Sequence, residues 1–133
     1  MESGNNRIRV LVAEDNRDLL AAICALIAAE PDMQVYGAVD RTCDLLDAAA
    51  KRGAHVLVLD LDLGGESSVS ALMQLRQSCP AMAIVVYSGY DQRDLSTVLA
   101  QASHCEYVAK TGDPDELIGA IRRAAQGAAG AGN

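Results

Sequence analysis

The chain has 133 residues and a formal net charge of −7. That length fits one domain burying roughly two thirds of its unfolded surface, and a surface this acidic repels nucleic-acid phosphates. With no Trp, no Phe and four Tyr, the core must be aliphatic, and each Tyr draws notice by its rarity.

The polar opening, residues 1–6, reads as disordered. A strand rich in Ile and Val follows over Arg7–Ala13. Asp15 or Asn16 can cap the next helix, Arg17–Glu30, whose apolar positions Leu19, Leu20, Ile23, Leu26 and Ile27 recur at helical spacing. Pro31-Asp32 ends it. A short strand, Met33–Val39, leads to Asp40 as a cap and a helix over about Thr42–Lys51, with Gly53 beyond its end. The run Val56–Asp60 is apolar at successive positions, which marks a strand buried on both faces. Gly64-Gly65 turn the chain into a helix near Ser68–Gln77. Pro80 separates that helix from a strand over Met82–Tyr87, and Asp91 caps a helix from Gln92 to about Ala102.

The last strand spans about Cys105–Ala109. Asp113 then stands at a helix N-cap with Pro114 at the first helical position, and Asp115 and Glu116 oppose the helix dipole. After Arg123 the sequence becomes Ala- and Gly-rich. The segmentation is therefore a domain over 7–126 and a linker or tail over 127–133. Strand and helix alternate throughout, which gives an α/β fold: a doubly wound, five-stranded parallel sheet with five helices on its two faces.

Cys24, Cys43, Cys79 and Cys105 are widely spaced, form no CxxC and have no His pair at metal-ligand spacing. They read as free thiols of a reducing compartment. No signal peptide and no apolar stretch of bilayer length stands out, so the expectation is a soluble, cytoplasmic protein without membrane contact.

Five positions close the apolar runs: Glu14-Asp15, Asp60, Ser88 and Lys110. In an open parallel sheet, ligands bind outside the carboxyl ends of the strands, so these groups should share one crevice. Carboxylates crowded there stay ionised only if a cation and an ammonium neutralise them. Such a set suits Mg²⁺ and a transferable phosphoryl group, with a carboxylate as nucleophile. Taken singly, each residue has an ordinary reading. Glu14-Asp15 could begin a helix, Ser88 could be a turn residue and Lys110 a solvated charge. Asp60 resists that, because an acid closing a Val/Leu run is costly unless paired. His55 and His104 fall outside the set and read as structural.

In this order, each after its strand, the five positions resemble the receiver domain of bacterial two-component response regulators, with the flavodoxin/CheY-like strand order 2-1-3-4-5. The resemblance runs from about Arg7 to Gln126. It implies that Asp60 is the phosphoacceptor and that Glu14, Asp15, Asp60 and the backbone carbonyl of Asp62 hold Mg²⁺, for which Mn²⁺ can substitute. It makes Ser88 and Lys110 the catalytic partners of the phosphoryl group, and Ser88 with Tyr107 the conformational switch. The implied partners are a sensor histidine kinase or phosphotransfer protein, with homodimer formation on phosphorylation as one readout. The implied activity is self-phosphotransfer and autodephosphorylation, not that of an enzyme with a separate substrate.

The family pattern is broken in two places. Gly64 and Ser68 stand where the family commonly has Pro and Gly, so the Leu63–Ser68 loop should be more flexible, which bears on the Asp62 carbonyl. Thr111 replaces a frequent Pro after the Lys, and Lys110-Thr-Gly-Asp113 resembles the NarL-type branch, whose members usually carry a DNA-binding helix-turn-helix. On that resemblance the chain is a stand-alone regulator or a receiver with its linker, contacting DNA only through such a further domain. Asp62 and Tyr90, two residues beyond Asp60 and Ser88, are expected to tune phosphorylation kinetics. Two other functions compete: a receiver-like interaction module working without phosphorylation, and a haloacid-dehalogenase-type phosphatase, suggested by Asp60-Leu-Asp62.

Overall fold

Residues 7–51, 53–63, 66–67, 69–89, 105–110 and 113–131 are described by a computed structural model. Along the chain these form β1 (Ile8–Ala13), α1 (Arg17–Ala28), β2 (Met33–Val39), α2 (Thr42–Ala50), β3 (Val56–Leu59), β4 (Asp62–Leu63), β5 (Glu66–Ser67), α3 (Val69–Ser78), β6 (Ala83–Ser88), β7 (Cys105–Ala109) and α4 (Pro114–Ala131). The expected helix at Gln92–Ala102, with Tyr90, Asp91 and His104, lies outside the described residues. So do residues 1–6, Gly64, Gly65, Ser68 and Thr111.

Five strands build one parallel sheet in the order β2-β1-β3-β6-β7, the 2-1-3-4-5 arrangement of a doubly wound fold. The central strands explain it. Every residue of β3 and β6 is buried, which a sheet covered on both faces requires. Side chains of a strand alternate between faces, and they divide here between two cores. Val10, Val12, Val56, Val58, Ala83, Val85, Tyr87 and Val108 pack with Ile23 and Ile27 of α1 and Leu117, Ile118 and Ile121 of α4. Leu11, Leu57, Leu59, Ile84 and Val86 pack with Leu45 of α2 and Leu72 and Leu75 of α3. Each fully buried Leu or Ile contributes roughly 1.5–3 kcal/mol of transfer free energy, so the two clusters dominate the stability.

Helix ends follow local chemistry. Asn16 is the N-cap of α1, its side chain accepting from Leu19 N at 3.0 Å. Asp113 Oδ1 accepts from Asp115 N at 2.9 Å at the head of α4. Asp40 is not a cap: Arg41 holds that position, extended and without a side-chain cap bond. Asp40 stands one residue too early, because the helical ladder begins with Leu45 N donating to the Arg41 carbonyl.

The sequence also misreads the extent of the last helix. Its tail beyond Arg123 is helical, since α4 runs on to Ala131. Alanine is the strongest helix former, and it carries the helix through the interspersed glycines. After Asp60 the chain is partly paired. Asp62–Leu63 and Glu66–Ser67 form a two-stranded antiparallel ladder, and Leu63 is buried in the core beneath α2 and α3.

At the amino end of the sheet, the Tyr36 ring packs over Gly53, where the chain returns from α2 into β3, so a side chain at 53 would displace that ring. Among the described residues no helix is long and apolar enough to cross a membrane, and all four cysteines are free thiols.

Candidate functional site

The sheet register brings the chemistry together. Glu14 N donates to the Val39 carbonyl, Asp60 N to the Ala13 carbonyl and Lys110 N to the Ser88 carbonyl, at 3.0, 2.9 and 3.0 Å. Each residue just past a strand is thus tied to the end of its neighbour. Glu14, Asp60 and Ser88 are the only buried polar or charged residues among those described, at 1 %, 4 % and 1 % exposure.

Glu14, Asp15 and Asp60 present carboxylate oxygens that all lie within 4.8 Å of one another, with Asp15 at the exposed rim. At that spacing and an effective dielectric of about 20, each pair of like charges repels by at least about 3 kcal/mol before screening. Lys110 supplies part of the compensation. Its ammonium lies 3.0 Å from Glu14 Oε1 and 3.4 Å from Asp60 Oδ2. Burial alone would depress its pKa, but the bonds and charges of Glu14 and Asp60 outweigh that and hold it above the ordinary lysine value. Glu14 is fixed further by Asn16 N, which donates to its Oε2 at 3.1 Å, so the turn that caps α1 also aims the acid.

Among the described residues, three carboxylates gather around the Lys110 ammonium. Hard oxygen donors held this closely fit Mg²⁺, which binds through a few carboxylates and retains other oxygen ligands.

Ser88 ends β6, beside β3, and Tyr107 reaches its backbone: the phenol hydroxyl donates to the Ser88 carbonyl at 3.4 Å. The Tyr107 ring is half-buried against the core beneath α2 and α3. Asp62 lies in β4. Of the positions singled out in the sequence, Glu14, Asp15, Asp60 and Lys110 therefore converge in direct contact. Ser88 and Tyr107 flank them, and His55 stands apart at the amino end, its Nδ1 accepting from Arg9 N.

The sequence matches the family model of the response regulator receiver domain over residues 10–122. The chain belongs to this family. The receiver is 29 % identical over 123 residues to the transcriptional regulatory protein DesR of Bacillus subtilis, covering 90 % of this chain and 59 % of DesR. It is 30 % identical over 125 residues to the uncharacterized transcriptional regulatory protein YvfU of the same species, covering 90 % and 60 %. It therefore spans about three fifths of the length of these curated relatives.

Among solved structures, RcsB of Salmonella typhimurium, a response regulator described in terms of DNA interaction, superposes with a TM-score of 0.82. It shares 25 % identity over 92 % of this chain and 62 % of RcsB. A LuxR-family two-component response regulator from Aurantimonas agrees in fold, with a TM-score of 0.83 and 22 % identity over 91 % of this chain and 86 % of that one. Receivers are the phosphoacceptor signalling domains of two-component systems, and both of these curated relatives are named transcriptional regulatory proteins.

One group at the site escaped the sequence reading. Tyr87 is 8 % exposed and sits directly before Ser88 in β6. Burial raises its pKa, while Lys110 lowers it and Glu14 raises it, so the phenol senses both charges. The available signal was a rare aromatic closing a strand that is otherwise Ala, Ile and Val.

Proposed function

We propose that this receiver accepts a phosphoryl group on Asp60 and uses it as a two-state switch. The observation that carries the reading is the Lys110 ammonium held between Glu14 and Asp60, with Asp15 in the same acid cluster. Glu14, Asp15, Asp60 and the Asp62 carbonyl would hold Mg²⁺, or Mn²⁺ in its place. Bound there, the cation would neutralise the carboxylates and the charge that builds on the transferred group.

The chain's own residues do the rest. An Asp60 oxygen attacks the phosphorus of a phosphohistidine donor or a small acyl phosphate. The new O–P bond forms as the donor's bond to phosphorus breaks, and the leaving group departs with the electron pair. Lys110 turns from Glu14 toward the phosphoryl oxygens, and Ser88 offers its hydroxyl from the neighbouring strand. Water later hydrolyses the acyl phosphate, so the chemistry is stoichiometric self-phosphotransfer and autodephosphorylation without a separate substrate.

Contacts that Ser88 and Lys110 make only with the phosphorylated Asp60 shift the population toward an active conformer. Tyr107, bonded to the Ser88 backbone, carries that change to the face of β7 and α4. A second copy or an effector segment reads it there. Because the relatives are named transcriptional regulators, DNA is the proposed final target, reached through residues beyond this domain.

The test is intact-mass analysis after incubation with Mg²⁺ and acetyl phosphate. Wild type should gain one phosphoryl adduct, absent from Asp60→Asn and from an EDTA control. No adduct on wild type under any of these conditions would leave the receiver as an interaction module working without phosphorylation.

A further inference from the structure

His55 stands just before β3, at the amino end of the sheet, and ties three strands together. Its backbone N donates to the Arg9 carbonyl of β1 at 2.8 Å, and its carbonyl accepts from Ala83 N of β6 at 3.0 Å. The side chain adds a further tie, because the Arg9 amide donates to Nδ1 of the imidazole at 3.0 Å. The Arg9 guanidinium, through Nε, holds the Gly53 carbonyl. Arg9 and the stretch that leads into β3 are thus laced by main chain and side chain together.

The amide-to-imidazole bond sets a chemical condition. A ring nitrogen accepts a hydrogen bond only through its lone pair, so Nδ1 must be unprotonated and the neutral ring carries its proton on Nε2. Protonation of Nδ1 turns the acceptor into a donor and leaves the Arg9 amide without this partner. Partial burial of the ring, and then the Arg9 charge, accordingly lower the His55 pKa. The residue is otherwise exposed, so protons reach it without unfolding. The charged groups on the elements around it are Arg7 and Arg9 at the start of β1, Lys51 after α2, Arg76 of α3, and Glu30 and Asp32 ahead of β2. Arg122 of α4 engages both acids, and Arg76 donates to the Met82 carbonyl. Arg9 is the charge that acts on the imidazole.

We propose that His55 is an acid-sensitive latch on the amino end of β1, closed by the neutral imidazole and released when the ring is protonated. Release frees the Arg9 amide and loosens the strand at the pole of the sheet opposite the acid cluster. The sign follows from linkage. A histidine whose folded-state pKa is depressed contributes stability that is present above the unfolded value, about 6.5, and is lost as pH falls through it. Carboxylates ordinarily titrate near about 4, so the two windows are separable. The inference stands on the Arg9–His55 bond and is independent of the phosphoacceptor reading of Asp60.

The experiment is an NMR titration of the full chain from about pH 8 to about pH 5.5, which brackets the ordinary histidine value, paired with urea unfolding over the same range. The ¹⁵N shifts of the His55 ring should show Nδ1 bare at high pH, and the ring should titrate below the ordinary value. The Arg9 amide signal should move with the same midpoint. The folding equilibrium constant should fall with pH through that window, by no more than about tenfold per pH unit, the slope of one proton. His55→Gln, which takes up no proton, should remove the fall, while His104→Gln retains it. A ring that titrates at or above the ordinary value, or that carries its proton on Nδ1 when neutral, overturns the inference. So does a His55→Gln protein with the pH dependence of wild type. Should His55→Gln fail to fold, the wild-type titration decides alone, because it reads the ring and the Arg9 amide directly.

Discussion

The two ends of the sheet handle charge in opposite ways. At the amino end, Arg122 of α4 meets Asp32 at 2.9 Å and Glu30 at 2.5 Å, and Arg9 donates to the Gly53 carbonyl. Arg122 serves both acids there, with the Arg122 and Asp32 side chains 41 % and 45 % exposed. At the carboxyl end, among the described residues, two buried carboxylates and a third at the rim gather around the Lys110 ammonium. Exposed ion pairs contribute little. Unbalanced charge held in a buried cluster is costly, and it persists where a ligand completes it.

The largest expected effect is on Asp60→Asn. It should abolish the phosphoryl adduct while stabilising the Mg²⁺-free protein by about 1–2 kcal/mol, because it removes one of the crowded charges. Urea unfolding in EDTA measures the second part, and a destabilised variant there would break the comparison.

Lys110→Met keeps the stem and removes the compensating charge. It should slow adduct formation at least tenfold, on the order expected for losing a group that stabilises transferring charge, and lower stability in EDTA by about 1–3 kcal/mol. The two effects are read by intact mass and by urea unfolding.

Mg²⁺ sharpens the contrast further. At roughly one hundred times its dissociation constant, a cation that binds only the folded state adds about 2.7 kcal/mol of stability. Wild type should show a gain of that size and Asp60→Asn much less. An equal response from both would place the cation elsewhere.

The smallest effect belongs to the amino end. Arg122 holds the Asp32 carboxyl below its ordinary pKa, chiefly through its hydrogen bonds. A lowered carboxylate pKa contributes stability that is present above the unfolded value, about 3.9, and is lost as pH falls through the folded value. Asp32→Asn should therefore flatten the acid limb of the stability curve slightly, and ~0.5 M salt should erase the difference. A large effect at neutral pH would mean that this end, too, holds strained charge.

Much of the fold was legible because physical constraints were written locally. The run Val56–Leu59 cannot be amphipathic, so it announced a strand buried on both faces. Asp113-Pro114 could only begin a helix. The sheet order, however, came from resemblance to a family and not from any local pattern. The α2 start was misread because Asp40 and Arg41 compete for one position and only the helical ladder decides it. The β4–β5 ladder and the extension of α4 depend on neighbours and on length, which short motifs do not encode.

At the site, Glu14, Asp15, Asp60 and Lys110 could be named because acids and bases that end apolar runs are conspicuous. The bond from Arg9 N to the His55 ring could not, since its partners lie 46 positions apart in the chain. Their meeting is set by the sheet register, and no stretch of sequence contains it.

The same register has a consequence for how the molecule fails. Glu14, Asp60, Ser88 and Lys110 come from four different strands, and backbone bonds at the tips tie β3 to β1 and β7 to β6. No fragment of the sheet holds the whole set, so acceptance of a phosphoryl group operates as a coincidence detector for completed folding. A chain with one strand detached would stay silent rather than send a false signal.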